Sequence, residues 1–164
     1  MEQVVLVDMD DNEVGIAEKI AAHRDSLLHR AFSVILMRGG EILLQRRNVA
    51  KYHSGGLWAN ACCGHPRPGE PLAAAAERRL REEMGISCEL TWRARTHYRC
   101  TLEGGMSENE IVHLFFGDYD GPVDPDPDEV MGWKWVDYGQ FRDSAVGSED
   151  LVYWVQDYVK KGLL

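Results

Sequence analysis

Residues 64–86 read GHPRPGEPLAAAAERRLREEMGI and form the most informative part of the chain. Pro71 suits the first turn of a helix, the four alanines after it favour a helix interior, and Gly85 is a typical stop. We therefore predict a helix over residues 71–84. On that helix, positions 79, 82 and 83 lie on one face because they are three and four residues apart. The face carries one guanidinium and two carboxylates.

The segments outside this helix indicate a sheet. Gly39 and Gly40 separate two β-rich runs, which is typical of a hairpin, and Gly104 and Gly105 mark a second turn. A short helix or irregular segment is expected at 18–23, and a C-terminal amphipathic helix at 151–161 with Ser148 as its N-cap. The predicted strands cover residues 4–7, 31–37, 41–45, 86–98, 110–116 and 130–136.

Length and composition predict one globular domain. The chain has 164 residues, of which 45% are hydrophobic and 27% charged. We expect residues 1–164 to form a single domain of the α/β or α+β fold class, with a mixed β-sheet flanked by helices. The four cysteines show neither a disulfide framework nor zinc-ribbon spacing, so free thiols are expected.

The net charge of −9 argues against a nucleic-acid partner, because phosphate backbones require a basic face. A small phosphorylated ligand remains compatible, since it needs only a few local cations. No apolar run is long enough for a membrane span, and from the first residues we expect neither a secretory nor a transit signal. We expect a cytoplasmic protein without a membrane partner, either a monomer or a weak homodimer.

The helix and its flanks resemble the Nudix box. The pattern is glycine, five residues, glutamate, seven residues, then Arg-Glu-aliphatic-any-Glu-Glu-any-Gly-aliphatic, and one fixed position differs. Arg79 stands where the box has its first helical glutamate. In Nudix hydrolases the glutamates of this face hold magnesium against a diphosphate, so the resemblance implies a Nudix fold with altered metal binding. The alternative without a binding function is an exposed helix face that carries Arg–Glu pairs.

A second resemblance concerns residues 58–66, which read WANACCGHP. They are similar to the W-x-N-x-x-C-G-H-P stretch of the type I isopentenyl diphosphate isomerases, a Nudix-fold family. His23, His29, Tyr98 and the Glu108–Glu110 segment also fall on family positions, over about residues 4–138. The resemblance implies metal-dependent isomerisation of isopentenyl diphosphate to dimethylallyl diphosphate, by protonation and deprotonation through a carbocation.

The resemblance also implies which residues act on the substrate. Cys63 and Glu110 are implied as the acid–base pair that moves the protons, with Tyr98 assisting the carboxylate. An aromatic face stabilises the carbocation, and Trp154 is a better candidate for this than Trp58. Cys62 is interpreted as structural.

Metal and phosphate sites follow from the same resemblance. Three imidazoles and two carboxylates suit Mn2+ or Zn2+. A second ion, Mg2+, is expected between the diphosphate and Glu83. The implied metal ligands of the first site are His23, His29, His65, Glu108 and Glu110, and the implied phosphate contacts are Lys19, Arg47, Lys51 and Arg79.

Two other functions stay open at this point. A Nudix diphosphohydrolase acting on a nucleotide or prenyl diphosphate would share the box, but Arg79 argues against it. A metal- or ligand-binding module without activity would share the fold, and fold alone does not decide between these functions.

Overall fold

The computed structural model describes all 164 residues and is built around a nine-stranded mixed β-sheet. Three of the strands are short or were not predicted from the sequence, namely β2, β5 and β6. The strands are β1 (Gln3–Val7), β2 (Glu13–Glu18), β3 (His29–Arg38), β4 (Glu41–Arg47), β5 (Trp58–Ala59), β6 (Cys62–Gly64), β7 (Thr91–Thr101), β8 (Ser107–Asp118) and β9 (Val130–Asp137).

Strand β3 connects the parts of the sheet. It pairs antiparallel with β1, β4 and β6 and parallel with β8. The β3–β4 hairpin is paired only near its turn, so the two strands separate and β6 pairs with β3, with Ser33 opposite Cys63. The parallel register puts His29 beside Glu110, and β7 puts Tyr98 on the other side of Glu110. Sheet register therefore brings together side chains that are far apart in the sequence.

Four α-helices accompany the sheet: α1 (Lys19–Arg24), α2 (Leu72–Met84), α3 (Tyr138–Ala145) and α4 (Tyr153–Lys160). Alternate residues of β3 enter two different apolar cores, because successive strand residues face opposite sides of a sheet. Phe32 and Leu36 pack in the core that includes α2, whereas Ile35 packs in the core that includes α3 and α4. The predicted α/β fold class is confirmed. None of these helices has the length and apolar character needed to cross a bilayer.

The end of α2 explains why the Nudix-box pattern has a glycine at position 85. Gly85 has φ 65° and caps the helix in the left-handed conformation, with its N–H donating to the Arg81 carbonyl. A Cβ atom at this position would lie 2.5 Å from the Asp124 carbonyl oxygen. Both the backbone angle and the close approach of the 122–127 loop therefore require glycine.

The predicted Ser148 cap and the predicted start of one strand were wrong, and one helix was missed. The C-terminal helix begins at Tyr153 without a side-chain cap, so Ser148 is not its N-cap. The reason is local: Trp58 and Leu151 form a β-bridge, and the Val152 N–H donates to the Trp58 carbonyl, which keeps this segment extended. The strand predicted from residue 86 starts at Thr91, where pairing with Phe116 begins. Helix α3 was not predicted.

Candidate active site

One cleft gathers most of the predicted site residues. Cys63, Tyr98 and Trp154 line it together with the four predicted phosphate contacts, Lys19, Arg47, Lys51 and Arg79. Of the predicted metal ligands, His65, Glu83, Glu108 and Glu110 line the cleft. His23 and His29 are fully buried beside Glu110.

Three imidazoles converge on one carboxylate oxygen. Oε1 of Glu110 lies 3.2 Å from His29 Nε2, 3.1 Å from His65 Nε2 and 3.7 Å from His23 Nε2. His23 comes from the end of α1, His29 from the start of β3, and His65 follows β6 directly. The four side chains offer donor atoms that all lie within 4.8 Å of one another.

The outer nitrogens of two of these rings fix their orientation. Nδ1 of His23 is 2.7 Å from the Lys19 carbonyl, and Nδ1 of His29 is 2.8 Å from the Leu27 carbonyl. Because a carbonyl only accepts, each Nδ1 carries a proton, which leaves Nε2 as the ring nitrogen that faces the carboxylate. When these Nε2 atoms carry no proton, their lone pairs and the carboxylate require a positive charge between them. Nε2 of His23 is buried without a hydrogen-bond partner, so this donor set fits a divalent cation.

The protonation pattern supports the same conclusion. Burial alone would lower the pKa of His23, but the Glu108 and Glu110 carboxylates raise it to about 10. Burial and the nearby Glu110 charge raise the pKa of Glu108 to about 8. Burial opposes ionisation of Glu110 as well, yet its contacts with Glu108 and the three histidines hold its pKa well below its usual range. In the metal-free protein, protons on His23 and Glu108 thus supply the positive charge that a bound cation would otherwise supply.

Glu108 also contacts a histidine that the sequence analysis missed. His53 Nε2 lies 2.6 Å from Glu108 Oε1, while His23 Nε2 lies 3.4 Å from Glu108 Oε2. His23, His53 and Glu108 form a second group whose donor atoms lie within 4.8 Å of one another. His53 sits in the loop after β4, where no periodicity constrains its direction. The only signal in the sequence was a further histidine between Lys51 and the WANACCGHP stretch.

The Cys63 thiol is held protonated. Burial raises its pKa to about 11, although contacts with Ser33, Arg47 and Asn60 act in the opposite direction. The thiol donates to Asn60 Oδ1 at 3.0 Å, and its sulfur lies 3.4 Å from Ser33 Oγ. At neutral pH this group is therefore a proton donor and a poor nucleophile.

Tyr98 and Trp154 each make a defined hydrogen bond at the cleft. The Tyr98 hydroxyl donates to Glu110 Oε2 at 3.1 Å, on the oxygen that the imidazoles do not approach. Trp154 Nε1–H donates to Asn60 Oδ1 at 3.2 Å, which fixes the plane of the indole. Trp58, the weaker aromatic candidate, does not line the cleft.

Four cations and several acidic partners form the other part of the cleft. Lys19 pairs with Glu2 at 3.1 Å, Lys51 pairs with Glu129, and Arg47 donates to the His53 carbonyl at 3.1 Å. Nε of Arg47 is buried without a partner. A concentration of positive charge on an acidic protein is suited to a small polyanion.

Arg79 occupies the metal-binding face of the Nudix helix. It pairs with Glu83 and donates to Glu82 at 2.8 Å. Burial opposes its charge, but the surrounding carboxylates, Glu83 above all, raise the pKa of Arg79 further. Glu83 also accepts from Gln45 Nε2 at 3.0 Å. Both oxygens of Glu83 are therefore engaged within the protein, and Glu83 is not among the clustered histidine and glutamate donors.

Comparison with known proteins gives the family. The NUDIX domain family model matches residues 27–155. "Isopentenyl-diphosphate Delta-isomerase 2" of Aromatoleum aromaticum is 53% identical over 94% of this chain and 82% of its own length. "Isopentenyl-diphosphate Delta-isomerase" of Serratia proteamaculans is 43% identical over 97% of this chain and 90% of its own length.

Solved structures share the fold at low identity. A Deinococcus radiodurans crystal structure superposes with a TM-score of 0.78 at 18% identity, covering 98% of each chain. The MutT protein of Methanosarcina mazei superposes with a TM-score of 0.67 at 21% identity, covering 82% of this chain and 91% of its own. These structures support the fold, and the family model together with the two sequence relatives gives the family. This chain is a NUDIX-domain protein and belongs to the isopentenyl-diphosphate Delta-isomerase family.

Proposed function

We propose that the chain isomerises isopentenyl diphosphate to dimethylallyl diphosphate. The observation that carries this proposal is the combination, in one cleft, of a thiol held protonated and a carboxylate held ionised. Such a pair can add a proton at one carbon and remove another from a carbon two positions away. The names of the relatives that match most of the chain support the same reaction.

The isomerisation needs no co-substrate, because one proton is added to the substrate and one is removed. The alkene electrons take a proton at the terminal CH2 carbon, which becomes a methyl group and leaves a tertiary carbocation next to it. Loss of a proton from the adjacent methylene forms the new double bond. Cys63 is one member of the acid–base pair and Glu110 the other, and the Tyr98 hydroxyl links Glu110 Oε2 to the cleft.

Trp154 stabilises the carbocation in this proposal. An aromatic face near a cation contributes roughly 0.5–2 kcal/mol, and more where water is excluded. The indole is 3% exposed, and its hydrogen bond to Asn60 holds the ring rigidly beside the cleft. The structure already shows a cation near this ring, since the Arg47 guanidinium carbon lies 5.4 Å from the indole centroid.

Lys19, Arg47, Lys51 and Arg79 bind the diphosphate. The Glu2 and Glu129 partners of the two lysines are partly exposed, so the lysines can exchange them for phosphate oxygens. His23, His29, His65, Glu108 and Glu110 would hold Mn2+ or Zn2+, and Glu83 would hold Mg2+ with the diphosphate. These ions supply positive charge that keeps the carboxylates ionised and screens the substrate's phosphates.

Hydrolysis of a diphosphate is the alternative reaction for this fold. It requires carboxylates on the face of α2 to hold metal at the scissile bond. In this chain Arg79 occupies the first of those positions and engages Glu82 and Glu83. No observation in the cleft favours hydrolysis over isomerisation.

The test is an NMR time course of the purified, metal-reconstituted protein with Mg2+ and isopentenyl diphosphate in D2O. We expect dimethylallyl diphosphate that carries deuterium, with no phosphate released. Release of phosphate would show a hydrolase instead. Unchanged substrate after reconstitution would contradict an isomerase acting on this compound.

A further inference from the structure

We infer that His53 is an additional ligand of the metal centre, acting with His23 and Glu108. The inference rests on the metal centre of the proposed function and adds to it an imidazole from the loop after β4. The resemblance to known isomerases did not imply this residue. It would make the centre richer in nitrogen, with four histidines in place of three.

The first observation is the convergence of unpartnered donor atoms. Nε2 of His53, Nε2 of His23 and Oε2 of Glu108 are all buried, and none has a hydrogen-bond partner. His53 Nε2 comes within 2.6 Å of Glu108 Oε1 but without the alignment of a hydrogen bond. Buried polar groups in folded proteins are almost always paired. Three unpaired atoms that could each bind a metal, all at one point, therefore indicate that a cation belongs between them.

The second observation is that the His53 ring is held in place. Its residue is 2% exposed, its Nδ1 is 3.0 Å from Ser54 Oγ, and its carbonyl accepts from Arg47. The ring packs perpendicular to the Trp154 indole, with 5.8 Å between the ring centroids. With Nδ1 satisfied on the outer side, Nε2 is the nitrogen that faces the cluster. This is the arrangement in which a histidine ligand is oriented by its second nitrogen.

The third observation concerns Glu108 and the shared ring. The donors divide into two overlapping groups that have His23 in common, and Glu108 belongs to the group with His53. Nδ1 of His23 is already bonded to the Lys19 carbonyl, so its Nε2 is the single nitrogen that both groups share. A cation bound to Nε2 of His23 would therefore lie within reach of both Glu108 and His53. Imidazole nitrogen with carboxylate oxygen favours Zn2+ or Mn2+ over Mg2+.

The direct test uses 113Cd2+ as a probe on the metal-free wild-type protein. Heteronuclear correlation between 113Cd and histidine ring protons identifies each imidazole that is bound to the ion. We expect couplings to His23, His29, His65 and His53. Couplings to the first three alone would overturn the inference while leaving the metal centre intact. An absence of coupling to every histidine would overturn the centre itself, and the inference with it.

A matched pair of variants gives a second readout. His53→Gln removes the imidazole and keeps a polar side chain, and we expect the affinity for Zn2+, measured by chelator competition, to fall by roughly tenfold or more. The control is His97→Gln, because His97 bonds to Asn109 outside the cleft. Equal affinities in the two variants would contradict a ligand role for His53. Circular dichroism and melting curves of both variants establish that they fold.

Discussion

Cys63 and Trp154 share a single hydrogen-bond acceptor, the side-chain oxygen of Asn60. The thiol donates to Oδ1 at 3.0 Å and the indole N–H at 3.2 Å, while Nδ2 of Asn60 donates to the Val34 and Cys62 carbonyls. Asn60 thus sets the thiol direction and the indole plane together. Since the proposal assigns these groups to proton transfer and to carbocation stabilisation, their relative placement depends on one amide.

Replacing that amide should damage turnover more than binding. For Asn60→Leu we expect kcat to fall by roughly 10–100-fold, because both groups lose their orientation, whereas KM stays within a few-fold. Stability should also drop by about 1–3 kcal/mol, since the Val34 carbonyl loses a buried donor. Steady-state kinetics and thermal melts measure the two effects. A variant with higher KM and unchanged kcat would argue against the positioning role.

The adjacent cysteines allow a matched comparison. Cys63→Ala should abolish isomerisation while metal and substrate still bind, because a proton carrier is lost and no ligand is removed. Cys62→Ala should keep most of the turnover, with a stability loss of roughly 1 kcal/mol, since Cys62 is fully buried in the apolar core. Isotope exchange and calorimetry test both variants. Near-normal turnover of Cys63→Ala would remove this thiol from the mechanism.

The pH dependence of thiol modification should reflect the burial of Cys63. Its raised pKa, about 11, means that the reactive thiolate is rare at pH 8 and increases as the pH rises towards that value. We expect the iodoacetamide rate at Cys63, followed by peptide mass spectrometry, to keep rising between pH 8 and 10. An exposed cysteine in a short peptide, with a pKa of about 8.5, should approach its plateau in the same range. A plateau for Cys63 at that lower pH would contradict a protonated thiol.

Arg79 can be tested against a neighbour on the same helix. Arg79→Glu should raise KM for the diphosphate by roughly tenfold or more, because charge-assisted hydrogen bonds to phosphate are replaced by repulsion. Arg81→Glu makes the same charge change at an exposed position outside the cleft, and we expect little effect. Substrate titrations with both variants give the comparison. Equal KM values would exclude a local phosphate contact by Arg79.

Metal binding should release protons. The pKa values of His23 and Glu108 are raised to about 10 and about 8, so both groups are largely protonated at pH 7.5 in the metal-free protein. A cation binds only the deprotonated forms, so Zn2+ affinity should rise with pH across this range. Calorimetry in two buffers with different ionisation enthalpies measures the proton release. A binding heat independent of the buffer would contradict the protonation pattern.

The sequence predicted the parts of the fold that depend on local chemistry. Helix α2, its Gly85 stop and the Gly39–Gly40 hairpin follow from residue preferences that act over a few positions. Ser148 was wrong as a cap because the bridge between Trp58 and Leu151 is a long-range contact that a local pattern does not contain. Helix α3 was missed because Gly139 and Ser144 weaken its helical signal.

The candidate site was predictable in its residue types and less so in its geometry. Resemblance indicated His23, His29 and His65 in advance, and the structure brings them to one carboxylate. Their roles, like those of Cys63 and Trp154, stay predictions for the experiments above. His53 lies on an irregular loop and was not indicated, because only the folded chain shows which way a loop residue points.

The parallel register of β3 and β8 also has a consequence for folding order. His29 and Glu110 become neighbours across a sequence separation of 81, and such distant pairings are slow to form. A chain in which β3 and β8 are not paired lacks this donor cluster, so it has no preorganised centre to capture an ion. Loading with metal should then require the pairing of β3 with β8, and separation of these two strands should release the metal.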